Sequence, residues 1–470
     1  MAIIQSCFKT LFLFVRSVVT GEDDPVNATV LIPGIKMQFD YDLNQRVPIL
    51  KSLLLGLQWA AILISSIIIL GKVIGALHYS DAMGQILYLQ KILFLCAVTL
   101  FCQVFWGHKL PVAPGPAAVL FVGILASQGF GIQTIYSSLV IGGGLIAVLS
   151  ISGLFKYLQK FFTSNVIAVV LLLITFTIAP TIRNLMIDSQ NGIDPVYNMG
   201  FSLSLVFVML LLYGMLSGIW RATLMIWGMI FGSLCYFLIF HGSLAYGPPS
   251  DIPLFNDFFE QMNFHFSFQP GVLISFLFCY IALSINDLGS IQAVNEMLKP
   301  GDEGGRITRG IAITGVANIA AGFFGVIGPV NYTISPGVIV STRCASQFVL
   351  LPAAAVMFLL AFFPTATGFI GSVPSPVIGA VLAYVMVSQI ASGLMVAFKG
   401  TGGKSFAFED GMVIGLSILL GTIVAFLPSQ VVNGLPPFLR PILGNGFVVG
   451  VVSALIMEHL VVGRKPKREP

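Results

Sequence analysis

From residue 50 to residue 461, long apolar runs follow one another with only short polar breaks. A run of roughly twenty such residues makes a helix long enough to cross the hydrocarbon core of a bilayer. Lipid offers no partners to backbone N–H and C=O groups, so only helices and closed barrels span it. A barrel needs short alternating strands, and these runs are long and continuous. The fold class is therefore an all-α polytopic membrane protein. Composition agrees: of 470 residues, 57% are hydrophobic, 9% are charged and 39 are Phe, a balance foreign to soluble domains.

The apolar segments fall near 50–71, 86–105, 112–127, 132–154, 163–180, 199–217, 221–241, 270–291, 308–327, 335–343, 346–363, 374–396, 411–427 and 442–461. That makes about fourteen elements, several too short to span unaided. An even count puts both termini on one side, which the positive-inside rule assigns to the cytoplasm of a plasma-membrane protein. Lys109, Lys156, Lys160, Arg221, Lys299, Arg306, Arg309, Arg343, Lys399 and Lys404 then fall in inside loops, with Arg464, Lys465, Lys467 and Arg468 in the tail. The outside keeps Lys72, Lys91, Arg183 and Arg440. Loop 242–269 contains no Lys or Arg and is expected to face outward, and its "FNDFFEQMNFHF" reads as an interfacial amphipathic helix or a plain loop. The +4 net charge is accounted for by orientation, not by a nucleic-acid partner, and the basic tail can touch anionic lipid. Cys7, Cys96, Cys102, Cys235, Cys279 and Cys344 lack metal-ligand spacing, so neither a metal nor a cofactor is expected. "GTGGKS" at 400–405 has Phe398 where a phosphate loop needs Gly.

Fourteen elements split into seven and seven, and an odd half enters the membrane from the opposite side, making the halves inverted repeats. Segment 3 begins "LPVAPGPAAVLF" and segment 10 begins "NYTISPGVIV", so Pro114-Gly115 and Pro336-Gly337 mark the third position of each half. Paired Gly/Pro-broken segments at matching positions point to a transporter's binding site. Proline can open a half-helix, because its missing N–H would be unpaired there anyway. Extended residues before it must face protein or a water-filled cavity. The half-helix N-terminus then offers N–H donors and partial positive charge to a polar or anionic ligand. The competing structural reading is a proline kink whose polar residues are satisfied by neighbouring helices.

Segment 8, "GVLISFLFCYIALSINDLGSIQAV", carries one charged residue, Asp287, with Asn286 beside it and Ser290 one turn on. An intramembrane carboxylate marks an ion or substrate path, and Asp287 is the candidate proton-coupling group. The alternative is an acid wetted at the cytoplasmic end or paired with a loop arginine. Glu409, Asp410 and Glu458 read as structural, and "GIAITGVANIAAGFFG" reads as a close-packing helix face. His78, His108, His241, His265 and His459 all lie at segment ends or in loops, which argues against a membrane-embedded enzyme.

"LLLGLQWAAI", "LPVAPGPAAV", "NDLGS", "GGRITRGIAITGVANIAAGFFG" and "SPGVIVSTR" together resemble the nucleobase-cation symporter-2, or nucleobase-ascorbate transporter, family of uracil and xanthine permeases. The likeness covers about nine-tenths of the chain, leaving out the first 35 or so residues, and its most specific element is the spacing from Gly337 to Thr342-Arg343. It implies a core domain from segments 1–4 (49–155) and 8–11 (243–365, after the outer loop) and a gate from segments 5–7 (156–242) and 12–14 (366–462). Residues 1–48 and 463–470 become the cytoplasmic N-terminal segment and tail. It further implies a homodimer and a core that carries a nucleobase across, often with a proton.

The substrate is expected between segments 3, 8 and 10, with Gln58, Ala118, Asn286, Ser290, Tyr332, Ser335 and Gly337 as candidate binding residues. Departures from the family accompany these matches. Asn286 stands where relatives carry Glu, Ser290 where they carry His or Asp, and Ile334-Ser335 where they carry Gln or Glu followed by Asn. Ala118 replaces a frequent aromatic, Trp59 follows Gln58 where some relatives have His, and Tyr332 matches a tyrosine of the uracil permease type. Fewer groups remain to read a nucleobase edge, so a uniporter or an anion carrier on the same architecture stays open beside the nucleobase–proton symporter.

Overall fold

The computed structural model describes residues 39–155, 157, 161–189, 192–240, 258–259, 262, 265–399 and 406–462. The first half of the chain forms α1 (Ile49–His78), α2 (Ala82–Phe105), strand β1 (Pro114–Pro116), α3 (Ala118–Ala126), α4 (Ile132–Ile151), α5 (Ser164–Met186), α6 (Pro195–Met215) and α7 (Leu224–Ile239). The second forms α8 (Pro270–Leu298), α9 (Glu303–Phe324), strand β2 (Pro329–Asn331), α10 (Ser335–Thr342), α11 (Leu350–Ala361), α12 (Pro364–Ile370), α13 (Ser375–Lys399), α14 (Phe408–Ala425) and α15 (Gly446–Ile456). Among the described residues nine helices are long and apolar enough to cross a membrane, and α11 with α12 makes a candidate tenth, bent by 107°.

Helix packing repeats between the halves. α4 lies along α9 as α11 lies along α2, and α1 packs on α2 as α8 packs on α9. Away from these, α6 and α7 pack on α13 in the way that α14 and α15 pack on α5, while α5 and α13 pack on each other. This is the signature of an inverted seven-plus-seven repeat.

The α4–α9 seam is built on glycine, as the small-residue run in α9 foretold. A Cβ on Gly143 would sit 2.8 Å from the Gly315 carbonyl oxygen, and one on Gly315 would sit 2.7 Å from the Ala147 nitrogen. Backbone meets backbone here, which only small residues permit.

Residues just before α1 form a strap. The Asp40 N–H donates to the Arg343 carbonyl at 2.8 Å, the Ala345 N–H to Tyr41 at 3.0 Å and the Gln347 N–H to Leu43 at 3.1 Å. The end of the N-terminal segment is thereby tied to the turn after α10. Most of the outer loop lies outside the described residues, and with it most of the stretch read as an interfacial amphipathic helix or a plain loop. Phe258 within it is buried against Phe94, Phe324 and Phe362, and so packs on protein rather than in the lipid interface.

Candidate functional site

β1 and β2 pair antiparallel, with Pro114 opposite Asn331, Gly115 opposite Val330 and Pro116 opposite Pro329. The Ala117 N–H donates to the Gly328 carbonyl and the Tyr332 N–H to the Ala113 carbonyl, each at 3.0 Å, closing both ends of the ladder. The half-helices α3 and α10 follow β1 and β2, so they leave this strand pair from opposite ends. In their first turns the Leu120 N–H turns back to the Ala117 carbonyl and the Ser335 N–H to the Tyr332 carbonyl, and Pro336 has none. This leaves the N–H groups of Ala118, Val119 and Gly337 at the positive ends of the two dipoles. A Cβ on Gly337, in the first turn of α10, would meet nothing within 4 Å, so open space lies over that turn.

Sequence position alone suggested that the two Pro-Gly pairs are equivalent, and the structure shows that they are not. Pro336 lies in the first turn of α10, whereas Pro114 and Gly115 lie in β1 and α3 starts only at Ala118. The physical reason is position in the strand: Pro114 opens β1 as Pro329 opens β2, so Pro329, not Pro336, holds the matching place. Proline suits both places, since a short edge strand and a helix first turn each tolerate a missing N–H.

Tyr332 bridges the pair. Its hydroxyl donates to the Pro116 carbonyl at 3.1 Å, and a Cβ on Gly115 would lie 2.5 Å from its ring. Ser335 locks the same turn, donating from Oγ to the Tyr332 carbonyl at 2.9 Å and accepting from the Ala113 N–H at 3.2 Å. Replacing Gly115 with alanine is expected to push Tyr332 off Pro116 and to cut uptake by roughly tenfold to a hundredfold, the kinetic equivalent of an overpacking cost of ~1–3 kcal/mol. Initial rates of uptake at matched protein density in liposomes check this.

From the other side α8 holds the strand. The Asn331 N–H donates to Asp287 Oδ1 at 2.9 Å, and Ser290 Oγ lies 2.8 Å from the carbonyl oxygens of both Asn331 and Asn286, to which it donates. Asn331 and Pro114 form a non-hydrogen-bonded pair of the ladder, so the N–H and C=O of Asn331 point away from β1 and are met by Asp287 and Ser290 of α8. Asp287 and Ser290 are one turn apart and both fully buried, so they grip one residue of β2 together. Asp287 is therefore neither wetted at a helix end nor in an ion pair, and its Oδ2 has no hydrogen-bond partner.

The remaining candidates divide. Asn286 and Ala118 are partly exposed beside this centre. Gln58 is partly buried with Nε2 unpartnered, but Ser66, about 12 Å further along α1, is the residue of that helix within reach of the Tyr332 hydroxyl. Thr342 and Arg343 close the far end of α10. Thr342 Oγ1 donates to the Val338 carbonyl at 2.8 Å, and Arg343 takes the left-handed conformation that ends the helix. The signature pair therefore sits away from the strand pair and meets the N-terminal strap.

Sequence reasoning missed Asn331 and His108. His108 is fully buried in the loop between α2 and β1, with Nδ1 accepting the Leu110 N–H at 3.0 Å. Arg306 Nη1 donates to the carbonyls of His108 and Lys109, both at 2.8 Å, and clasps the loop to α9. Arg309 Nη2 binds Asp302 at 2.9 Å, and that hydrogen bond holds the Asp302 carboxyl below its usual range. A buried histidine in a polar-looking loop gives no periodic signal.

The xanthine/uracil permease model, described as a permease family, matches residues 50–430. A putative purine permease, YwdJ of Bacillus subtilis, is 24% identical over 89% of this chain and 98% of its own length. The nucleobase transporter PlUacP of Paenibacillus larvae is 25% identical over 89% and 96%, and the xanthine permease XanQ of Escherichia coli 24% identical over 72% and 73%. Among solved structures, the transmembrane domain of the cyanobacterial bicarbonate transporter BicA matches with a TM-score of 0.57 at 16% identity, over 83% of this chain and all (100%) of that one. The murine anion transporter Slc26a9 matches with a TM-score of 0.54 at 14% identity, over 96% and 75%. The fold is that of these transporters, and the chain belongs to the xanthine/uracil permease, or nucleobase-ascorbate transporter, family.

Proposed function

We propose that this integral membrane protein carries a nucleobase, namely uracil, xanthine or a related purine, between two half-helices by elevator movement of a core domain, with Asp287 as the proton-coupling acid. The observation that carries the reading is the β1–β2 pair. Two half-helix N-termini flank it, with open space at Gly337 and a buried carboxylate on its back. Tyr332, Asn286, Ala118 and the backbone near Gly337 are the binding groups, and Ser335, fully buried and engaged with Ala113 and Tyr332, holds the turn behind them. The packing groups α1–α4 with α8–α11, and α5–α7 with α13–α15, support a division into core and gate. The short helix Gly218–Ala222 abuts α10 and belongs to the gate side of that contact. The protein works in the plasma membrane with both termini inside, as a homodimer.

A second reading, anion transport, is favoured by one observation: Asn286 and Ile334 are neutral, so half-helix N–H groups dominate the cleft. Uptake of labelled xanthine and uracil into liposomes, challenged in turn by unlabelled purines, bicarbonate and sulfate, separates the two. Competition by purines alone is expected. Competition by the inorganic anions alone would overturn the nucleobase reading.

A further inference from the structure

Asp287 divides its labour. Oδ1 is used to hold the Asn331 N–H, while Oδ2 is buried and free. Around it lie three more unpartnered atoms of fully buried side chains: Asn331 Nδ2, Asn331 Oδ1 and His108 Nε2. The Asn331 amide lies within interaction range of both Asp287 and His108, and the Thr314 hydroxyl within range of Asp287. Because His108 Nδ1 accepts from Leu110, Nε2 carries the ring proton and is a donor. Two donors and two acceptors therefore converge, which is the full hydrogen-bonding complement of one water molecule.

We propose that His108 and Asn331 join Asp287 in a closed polar chamber that holds water and serves as the proton port of the core, with the Arg306 clasp as its cover. This rests on the reading of Asp287 as the proton-binding acid. In the loading step, a water held by His108 Nε2–H and Asn331 gives a proton to Asp287 Oδ2 and takes one from the next water on the loop side. One proton moves and no other bond is broken. His108 stays neutral throughout and acts as a positioning residue. Beyond it, the charged groups on the loop side are Lys109, Asp302, and Arg306 and Arg309 of α9, the two arginines being directed at the main chain of the loop and at Asp302. α2 contributes only neutral Gln103, whose Nε2 donates to the Gly310 carbonyl and to Thr314 Oγ1.

The test is infrared difference spectroscopy of the full chain in lipid, titrated through neutral pH, on wild type, Asp287→Asn, His108→Phe and His108→Gln. The expected result is a protonated-carboxyl band that vanishes in Asp287→Asn. In His108→Phe it moves to higher frequency, because a carboxyl that loses a hydrogen-bonded water has a stiffer C=O bond. In His108→Gln, whose amide can replace the lost donor, it returns toward the wild-type position. His108→Phe should also cut gradient-driven xanthine or uracil accumulation at least severalfold, with His108→Gln restoring it. An Asp287 band unmoved in His108→Phe would overturn the chamber while leaving Asp287 as the acid. Absence of any band that depends on Asp287 would remove both readings.

Discussion

Asp287→Asn is expected to abolish proton-driven accumulation while leaving a folded carrier that still exchanges substrate. Asparagine keeps an oxygen at the Oδ1 position, so the hydrogen bond from the Asn331 N–H at 2.9 Å survives and β2 stays clamped to α8. What it loses is the second oxygen, buried and unpartnered, as a site for a proton. With one proton carried per substrate, each unit of imposed pH difference supports about tenfold accumulation, equivalent to ~1.4 kcal/mol. The variant should collapse that ratio to unity, yet retain counterflow of labelled for unlabelled substrate. Asp287→Leu goes further by leaving the Asn331 N–H unpaired in a buried place, at about 1–3 kcal/mol or more. Its counterflow should fall as well. Comparing the two variants separates the structural oxygen from the coupling oxygen.

Gly315→Val is expected to prevent assembly of the folded protein. At the α4–α9 seam the atoms nearest a Cβ on Gly315 are the Ala147 nitrogen at 2.7 Å and the Gly143 carbonyl oxygen at 2.8 Å. Backbone cannot swing aside like the end of a side chain, so two helices must part along their length. We expect a loss of about 3 kcal/mol or more, at the top of the range for overpacking. Gly144→Val is the matched control, because a Cβ there meets only Ile319 Cδ1 at 3.9 Å. Size-exclusion profiles and thermal midpoints in detergent should show Gly315→Val aggregated or strongly destabilised and Gly144→Val near wild type.

Much of this architecture was legible in the chain because membrane helices announce themselves by length and continuity of apolar residues. The broken third and tenth segments showed through Pro-Gly, and Asp287 stood out as the one charge in the apolar segment near 270–291. The strand pair was harder. Three-residue strands carry no periodicity, and Pro114 and Asn331 meet only through folding of distant segments. The same long-range closure hid the offset between Pro114 and Pro336. It also hid His108, whose loop "WGHKLPVAP" looks exposed until Arg306 and Gln103 fold it inward. Likewise the bend between α11 and α12 puts α12 on α2, across the expected core–gate boundary at 365/366, because Pro364 opens a new helix there.

The measurement closest to the central claim is substrate-driven proton flux. Liposomes holding the purified protein and a trapped pH-sensitive dye receive xanthine or uracil on one side with no imposed pH gradient. The account predicts acidification of the lumen in step with entry of the labelled nucleobase, in wild type and not in Asp287→Asn. Nucleobase entry with no movement of protons, or no entry at all, would contradict it.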